Sequence, residues 1–149
     1  MGTTETLINQ LEKNLQMVTC LLHGLNESSI DFKPTPRAMS IRDHVAHLTE
    51  CHFACEEYLR GEDHEWGSYV PPNPEFKAIV SRYFETRTHA IELLINSESE
   101  KALEMLSDFI VLHEPYHIGQ MSLNRQGNET EWDSFSLYET LEPDSTASV

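Results

Sequence analysis

The chain has 149 residues, the size of one ordinary domain, and 39% of them are hydrophobic, which excludes a disordered chain and suffices for one compact core. No run approaches the roughly 18 consecutive apolar residues of a membrane span, and the opening MGTTETLINQ lacks the basic-then-apolar order of a signal peptide, so a soluble, cytoplasmic protein is expected. Ten Lys and Arg against 25 Asp and Glu give a formal charge of −15, which repels phosphate backbones and anionic lipid, so no nucleic-acid and no membrane partner is expected.

Four helical segments and no strand are predicted. The first runs from about Thr4 to Leu25, with Leu7, Leu11, Leu15, Val18, Leu22 and Leu25 at the three-and-four spacing of one helix face and stop signals at Gly24 and Asn26. Residues 27–39, with Pro34 and Pro36, read as an irregular connection. Ser40 opens the second helix, Asp43 completing a capping box; Ile41, Val45, Leu48, Cys55 and Leu59 mark its buried face and Gly61 its end. A second connection holds Pro71, Pro72 and Pro74. Asn73 as N-cap and Pro74 at the first helical position start the third helix, whose stripe is Phe76, Ile79, Val80, Tyr83, Phe84, Ile91, Leu94 and Ile95.

The fourth helix is predicted from Ser99 to Gly127, with Leu103, Leu106, Ile110, Met121 and Leu123 as apolar contacts. Pro115 in its middle should kink it, at about 3 kcal/mol if nothing compensates. Such broken local rules concentrate at functional sites. The fold class expected is all-α, a four-helix bundle with long connections over residues 1–127. Residues 128–149 form an acidic C-terminal segment, read as irregular or loosely packed: Glu129, Glu131, Asp133, Glu139, Glu142 and Asp144 follow Arg125, the last basic residue. Three cysteines, with Cys51 and Cys55 one helical turn apart, fit reduced thiols rather than a disulfide framework.

Eight histidines are unusual in this length, and five fall on two helices: His44, His47 and His52 on the second, His113 and His117 on the fourth. A spacing of four puts His113 and His117 on one face, about 6 Å apart at the backbone, where both imidazoles can bind one metal ion. Neutral nitrogen donors suit Zn, Ni, Cu or Fe(II). A third ligand must come from another helix, and the helical wheel does not choose among His44, His47 and His52. The competing reading is a set of core histidines hydrogen-bonded to backbone.

The string H-E-P-Y-H at 113–117 also matches the H-E-x-x-H of zinc metalloproteases, in which the glutamate is the general base. Against a protease stand the proline inside the motif and Gln120 and Leu123 at the positions where the longer form has Gly and His.

Two segments, Ser40-Ile-Arg-Asp-His-Val-Ala-His47-Leu and His113-Glu-Pro-Tyr-His117-Ile-Gly-Gln120 followed by Leu123, Arg125 and Gly127, resemble in order and separation the motifs of the DinB/YfiT-like metalloenzyme superfamily of small four-helix bundles. The resemblance spans nearly the whole chain, with departures at Met39 and Pro115. It implies a divalent metal, Zn or Ni foremost, held by His47, His113 and His117, and gives Glu114 no role as a base. It further implies an enzyme with a small-molecule substrate, transferring a low-molecular-weight thiol ahead of hydrolysis, and a homodimer formed through helix faces. The alternative class is a helical bundle that binds metal or a partner without chemistry.

Around these ligands, Tyr116, Gln120, His44 and His52 are candidates for contacting substrate or orienting a ligand. Cys51 reads as a buried, inert thiol before it reads as a ligand. Arg125 is expected in an ion pair. Trp66, Tyr69, Pro71 and Pro72 suit either a lid or a dimer contact.

Overall fold

The structure, a computed structural model, describes residues 2–139. Its elements in chain order are α1 (Thr3–Leu22), the one-turn α2 (Glu27–Ile30), α3 (Ile41–Leu59), α4 (Phe76–Asn96), α5 (Glu100–Leu106), a π-helical turn (Ser107–Val111), α6 (His113–Asn128) and a 3₁₀ turn (Ser134–Tyr138). No strand occurs among the described residues, so the all-α expectation holds. None of their helices is long and apolar enough to cross a membrane. Helix α3 packs most extensively on α4, while α6 packs on α1 and α3, so α5, the π turn and α6 together fill the place of one long fourth helix.

The capping signals read from the sequence operate at α3. Ser40 Oγ accepts from the Asp43 amide and Asp43 Oδ2 accepts from the Ser40 amide, both at 3.1 Å, so the short Asp still closes the box. At the other end Gly61 takes the left-handed conformation (φ 79°), the Glu62 amide bonds back to Glu57 and the Gly61 amide to Tyr58, the paired pattern that ends a helix on glycine.

Helix α4 begins later than expected, at Phe76. Asn73 Oδ1 accepts from the Glu75 amide instead of capping a helix through Pro74. Helix α1 ends at Leu22, and the connection behind it contains α2. Leu15 and Leu123, expected to face inward, are exposed; Asn14 and Asn124 beside them are buried.

The core divides into two apolar clusters. One gathers Val18, Leu21, Val45, Leu48, Ile79, Tyr83, Ile118 and Met121; the other gathers Leu7, Leu11, Cys55, Ala90, Leu94, Leu106 and Ile110. Buried polar groups separate the two: Asn14 along α1, His52 along α3, Thr86 and Arg87 along α4, and Glu114 between the π turn and the rest of α6.

The predicted continuous fourth helix is corrected at its proline. A helix running through Pro115 would need an N–H at that residue to bond the Val111 carbonyl, and proline has none. The chain meets this with the π turn, closed by the Leu112 amide on the Ser107 carbonyl at 2.9 Å, after which α6 starts afresh. Pro115 then lies in the first turn of α6, where a missing N–H costs little. The Val111 carbonyl accepts instead from Asn14 Nδ2 at 3.0 Å.

Arg125 does pair with Glu129 (3.2 Å), and it also donates to the carbonyls of Leu21, His23 and Gly24, closing the C-terminal end of α1. Trp132 lies over its guanidinium and, with Leu137, packs on the core, so the acidic segment as far as Glu139 runs along α1. Residues 140–149, with Glu142 and Asp144, lie outside the described residues.

Replacing Asn14 by Ala strands the buried Val111 carbonyl. The expected cost is about 1–3 kcal/mol, read as a lowered urea midpoint; an unchanged midpoint would show that the carbonyl is satisfied otherwise.

Candidate metal centre

Helix α3 supplies His47 and the first turns of α6 supply His113 and His117. The fresh start of α6 matters here: His113 is its first residue, and the spacing of four sets the two rings edge to face with centroids 4.5 Å apart. The three histidines form a group whose ligand atoms all lie within 4.8 Å of one another. His113 Nε2 is 3.3 Å from His47 Nε2 and 3.0 Å from His117 Nε2. Tetrahedral donors at ordinary Zn–N distances stand about 3.3 Å apart. These residues could therefore hold a metal ion.

A single proton shared between two rings cannot satisfy this arrangement, because His113 Nε2 faces both neighbours; a cation accepts from all three. The rings are also held in the form that ligates. Burial pushes the His117 imidazole down to about 3, helped by repulsion from His113, His47 and His44. Burial likewise lowers His47, opposed by Glu50, and His113, with His47 adding to the effect. Neutral imidazoles present free lone pairs.

His44 is fully buried behind the triad, its Nδ1 2.8 Å from Nδ1 of His117. If Nε2 of His117 ligates, its Nδ1 carries the proton and donates it to His44, which fixes the ring. Burial lowers the His44 pKa to about 4, with His47 adding to the effect, so it remains an acceptor.

The other sequence candidates divide. Tyr116 is 61% exposed and its ring lies against both His113 and His117, at the rim of the site. Gln120 sits half-buried one turn beyond His117. His52 is not brought to the triad's rings: its Nδ1 meets Thr86 Oγ1 at 2.8 Å, and burial pushes it to about 3 in the core. Cys51 Sγ is 3.8 Å from His47 Nε2, and in the metal-free protein burial pushes its thiol up to about 12, which keeps it protonated.

Glu114 turns away from metal chemistry. Arg87 donates to both its oxygens at 2.9 and 3.1 Å and the Tyr83 hydroxyl donates to one of them, all buried. The glutamate of H-E-P-Y-H is therefore a structural anion, and a protease reading lacks its base.

Sequence reasoning missed an acidic support. Glu50, buried three residues after His47, places Oε2 3.9 Å from His47 Nδ1, while Oε1 accepts from His64 Nε2 at 3.0 Å and the Gly67 amide at 2.7 Å. His64 Nδ1 lies 2.6 Å from Glu57. The signal was the His47–Glu50–Glu57 series at helical spacing. Trp66, on the connection that His64 tethers, has its ring 6.1 Å from His47 and stacks on Phe109.

No family model, curated protein or solved structure was found to match this chain.

Two outcomes follow from these buried charges and neutral rings. Glu114→Gln leaves the Arg87 cation without its counter-ion and is expected to lower unfolding free energy by about 3–5 kcal/mol, measured by chemical denaturation. In metal-free protein, His44, His52 and His117 are held far below their ordinary 6.5. The unfolded chain then binds protons that the folded one refuses, so their contribution is complete above pH 6.5 and is lost progressively as pH falls toward about 3. The urea midpoint should drop across that window, less steeply in His44→Asn.

Proposed function

We propose that this chain is a metal-dependent enzyme of the DinB type, in which His47, His113 and His117 hold one divalent cation, Zn or Ni, and a small molecule reacts on the exposed side by transfer of a low-molecular-weight thiol or by hydrolysis. The observation that carries the reading is the convergence of three neutral Nε2 atoms from two helices at donor spacing. Three protein ligands leave coordination positions open, as catalytic rather than structural sites do. A bound divalent cation supplies Lewis acidity, which makes a thiol or a water nucleophilic near neutral pH.

The chain's own residues have separate tasks in this scheme. His44 holds the proton on Nδ1 of His117, and Glu50 faces Nδ1 of His47. The Tyr116 hydroxyl, at the rim, is available to hydrogen-bond a substrate. A homodimer and a cytoplasmic location, which the motif resemblance implies, belong to the same proposal.

The test is metal content by mass spectrometry on tag-free protein, followed by thiol consumption. Wild type should carry about one equivalent, as one three-histidine site requires, and His47→Ala, His113→Ala and His117→Ala should each lose it. The loaded protein should consume a small thiol only when an electrophile is present, or hydrolyse a small ester or amide. Metal without either reaction would leave the non-enzymatic binding bundle; no metal after soaking with Zn and Ni would end the enzyme reading.

A further inference from the structure

One network remains outside the ligand set. Glu50 is 5% exposed, yet it sits between two things that must agree: a ligand ring and a long connection. Burial pushes its carboxyl up, but hydrogen bonds from His64 and from the backbone of Gly67 and Tyr69 outweigh this and hold it below its ordinary value, an anion. His64, itself gripped by Glu57, and Gly67 bracket Trp66 in sequence, so Glu50 fixes the backbone on both sides of that tryptophan. Trp66 is 46% exposed, with its ring tilted against His47, edge-on to His64 and parallel to Phe109. The His47 side chain keeps 28% of its surface open. An aromatic surface thus lies beside the exposed part of the site, held by the same carboxylate that faces the ligand.

We infer that Glu50 is a positioning residue that joins His47 to the Trp66 connection, so that the ligating orientation of His47 and the seating of Trp66 stabilise one another, and that Trp66 with Phe109 forms the wall against which a flat, apolar group of the substrate packs. The inference rests on the metal reading above. The physical reason is linkage: a ring that ligates through Nε2 carries its proton on Nδ1, the nitrogen that faces Glu50 Oε2, while Oε1 is already committed to the connection. By reciprocity, whatever factor the seating of the connection contributes to the ligating orientation of His47, that orientation returns to the seating of the connection. An apolar wall also accords with a substrate held by packing rather than by charge on a strongly acidic protein.

The chain has two tryptophans, so Trp132→Phe leaves Trp66 as the sole reporter. Zinc titration of that protein, with metal content measured alongside, should reduce acrylamide quenching of Trp66. In the same background Glu50→Gln should weaken zinc binding roughly ten- to hundredfold and leave Trp66 equally quenchable with and without zinc. His64→Gln, which touches no ligand, should weaken zinc at least about fivefold. For the wall, zinc-loaded protein should prefer 4-phenylimidazole to imidazole, and Trp66→Ala should reduce that preference about two- to tenfold. Zinc bound at the three histidines with unchanged Trp66 quenching, or with wild-type affinity in His64→Gln, overturns the coupling while the metal reading stands. An unchanged preference in Trp66→Ala overturns the wall. Absence of zinc binding overturns both the inference and the reading beneath it.

Discussion

The buried pair between Arg87 and Glu114 is the constraint on which the rest of the structure depends. A carboxylate in the middle of a helical bundle is tolerated only if its charge and lone pairs are met. Arg87 meets both oxygens, Tyr83 adds a hydroxyl, and Arg87 Nη2 also donates to the Leu11 carbonyl. Helices α1, α4 and α6 are thereby locked together at one level. Because Glu114 lies between the two histidines of α6 in sequence, pinning it toward α4 leaves that helix one rotation about its axis. In that rotation His113 and His117 face α3 and meet His47.

A second consequence concerns the register of the fourth chain segment. The π turn adds a residue to the helical repeat just before His113, and a continuous α-helix would present a different set of side chains beyond it. Proline enforces the break, since no helix hydrogen bond can form at residue 115, and Asn14 takes over the carbonyl left behind. The break, the buried polar layer and the histidine face of α6 are thus parts of one arrangement. Disturbing Asn14 would loosen the turn from which α6 starts, although Asn14 itself is remote in sequence from the three histidines.

How much of this was legible in the sequence depended on whether a feature was local. The capping box at Ser40, the glycine stop at Gly61 and the long helices are short-range signals, and they appear in the structure within a few residues. The pairing of His113 with His117 is likewise a consequence of helical spacing. Leu15 and Leu123 misled because apolar periodicity assumes an apolar interior; here Asn14, Asn124 and Arg125 are buried because each bonds a carbonyl remote in sequence. Pro115 signalled a break but not its form, since the compensating donor comes from residue 14. The helical wheel left His44, His47 and His52 open. In the structure they take three settings, one behind a ligand, one in the triad and one bonded to Thr86.

The H-E-P-Y-H string shows why letters at the right spacing do not carry a mechanism. In a metalloprotease the glutamate must stand free on the metal's side, with a lone pair available to take a proton. Here the same residue is buried, accepts from a guanidinium and a phenol, and contributes charge to the interior. Another carboxylate stands beside the triad, at Glu50, facing Nδ1 of His47 rather than its Nε2. The division is electrostatically coherent. Three neutral imidazoles would leave a divalent cation's charge uncompensated, and Glu50 is a buried anion beside one of these rings, its Oε2 3.9 Å from His47 Nδ1. Keeping that charge one ring away from a cation bound there would preserve the open positions that a directly coordinated carboxylate would occupy.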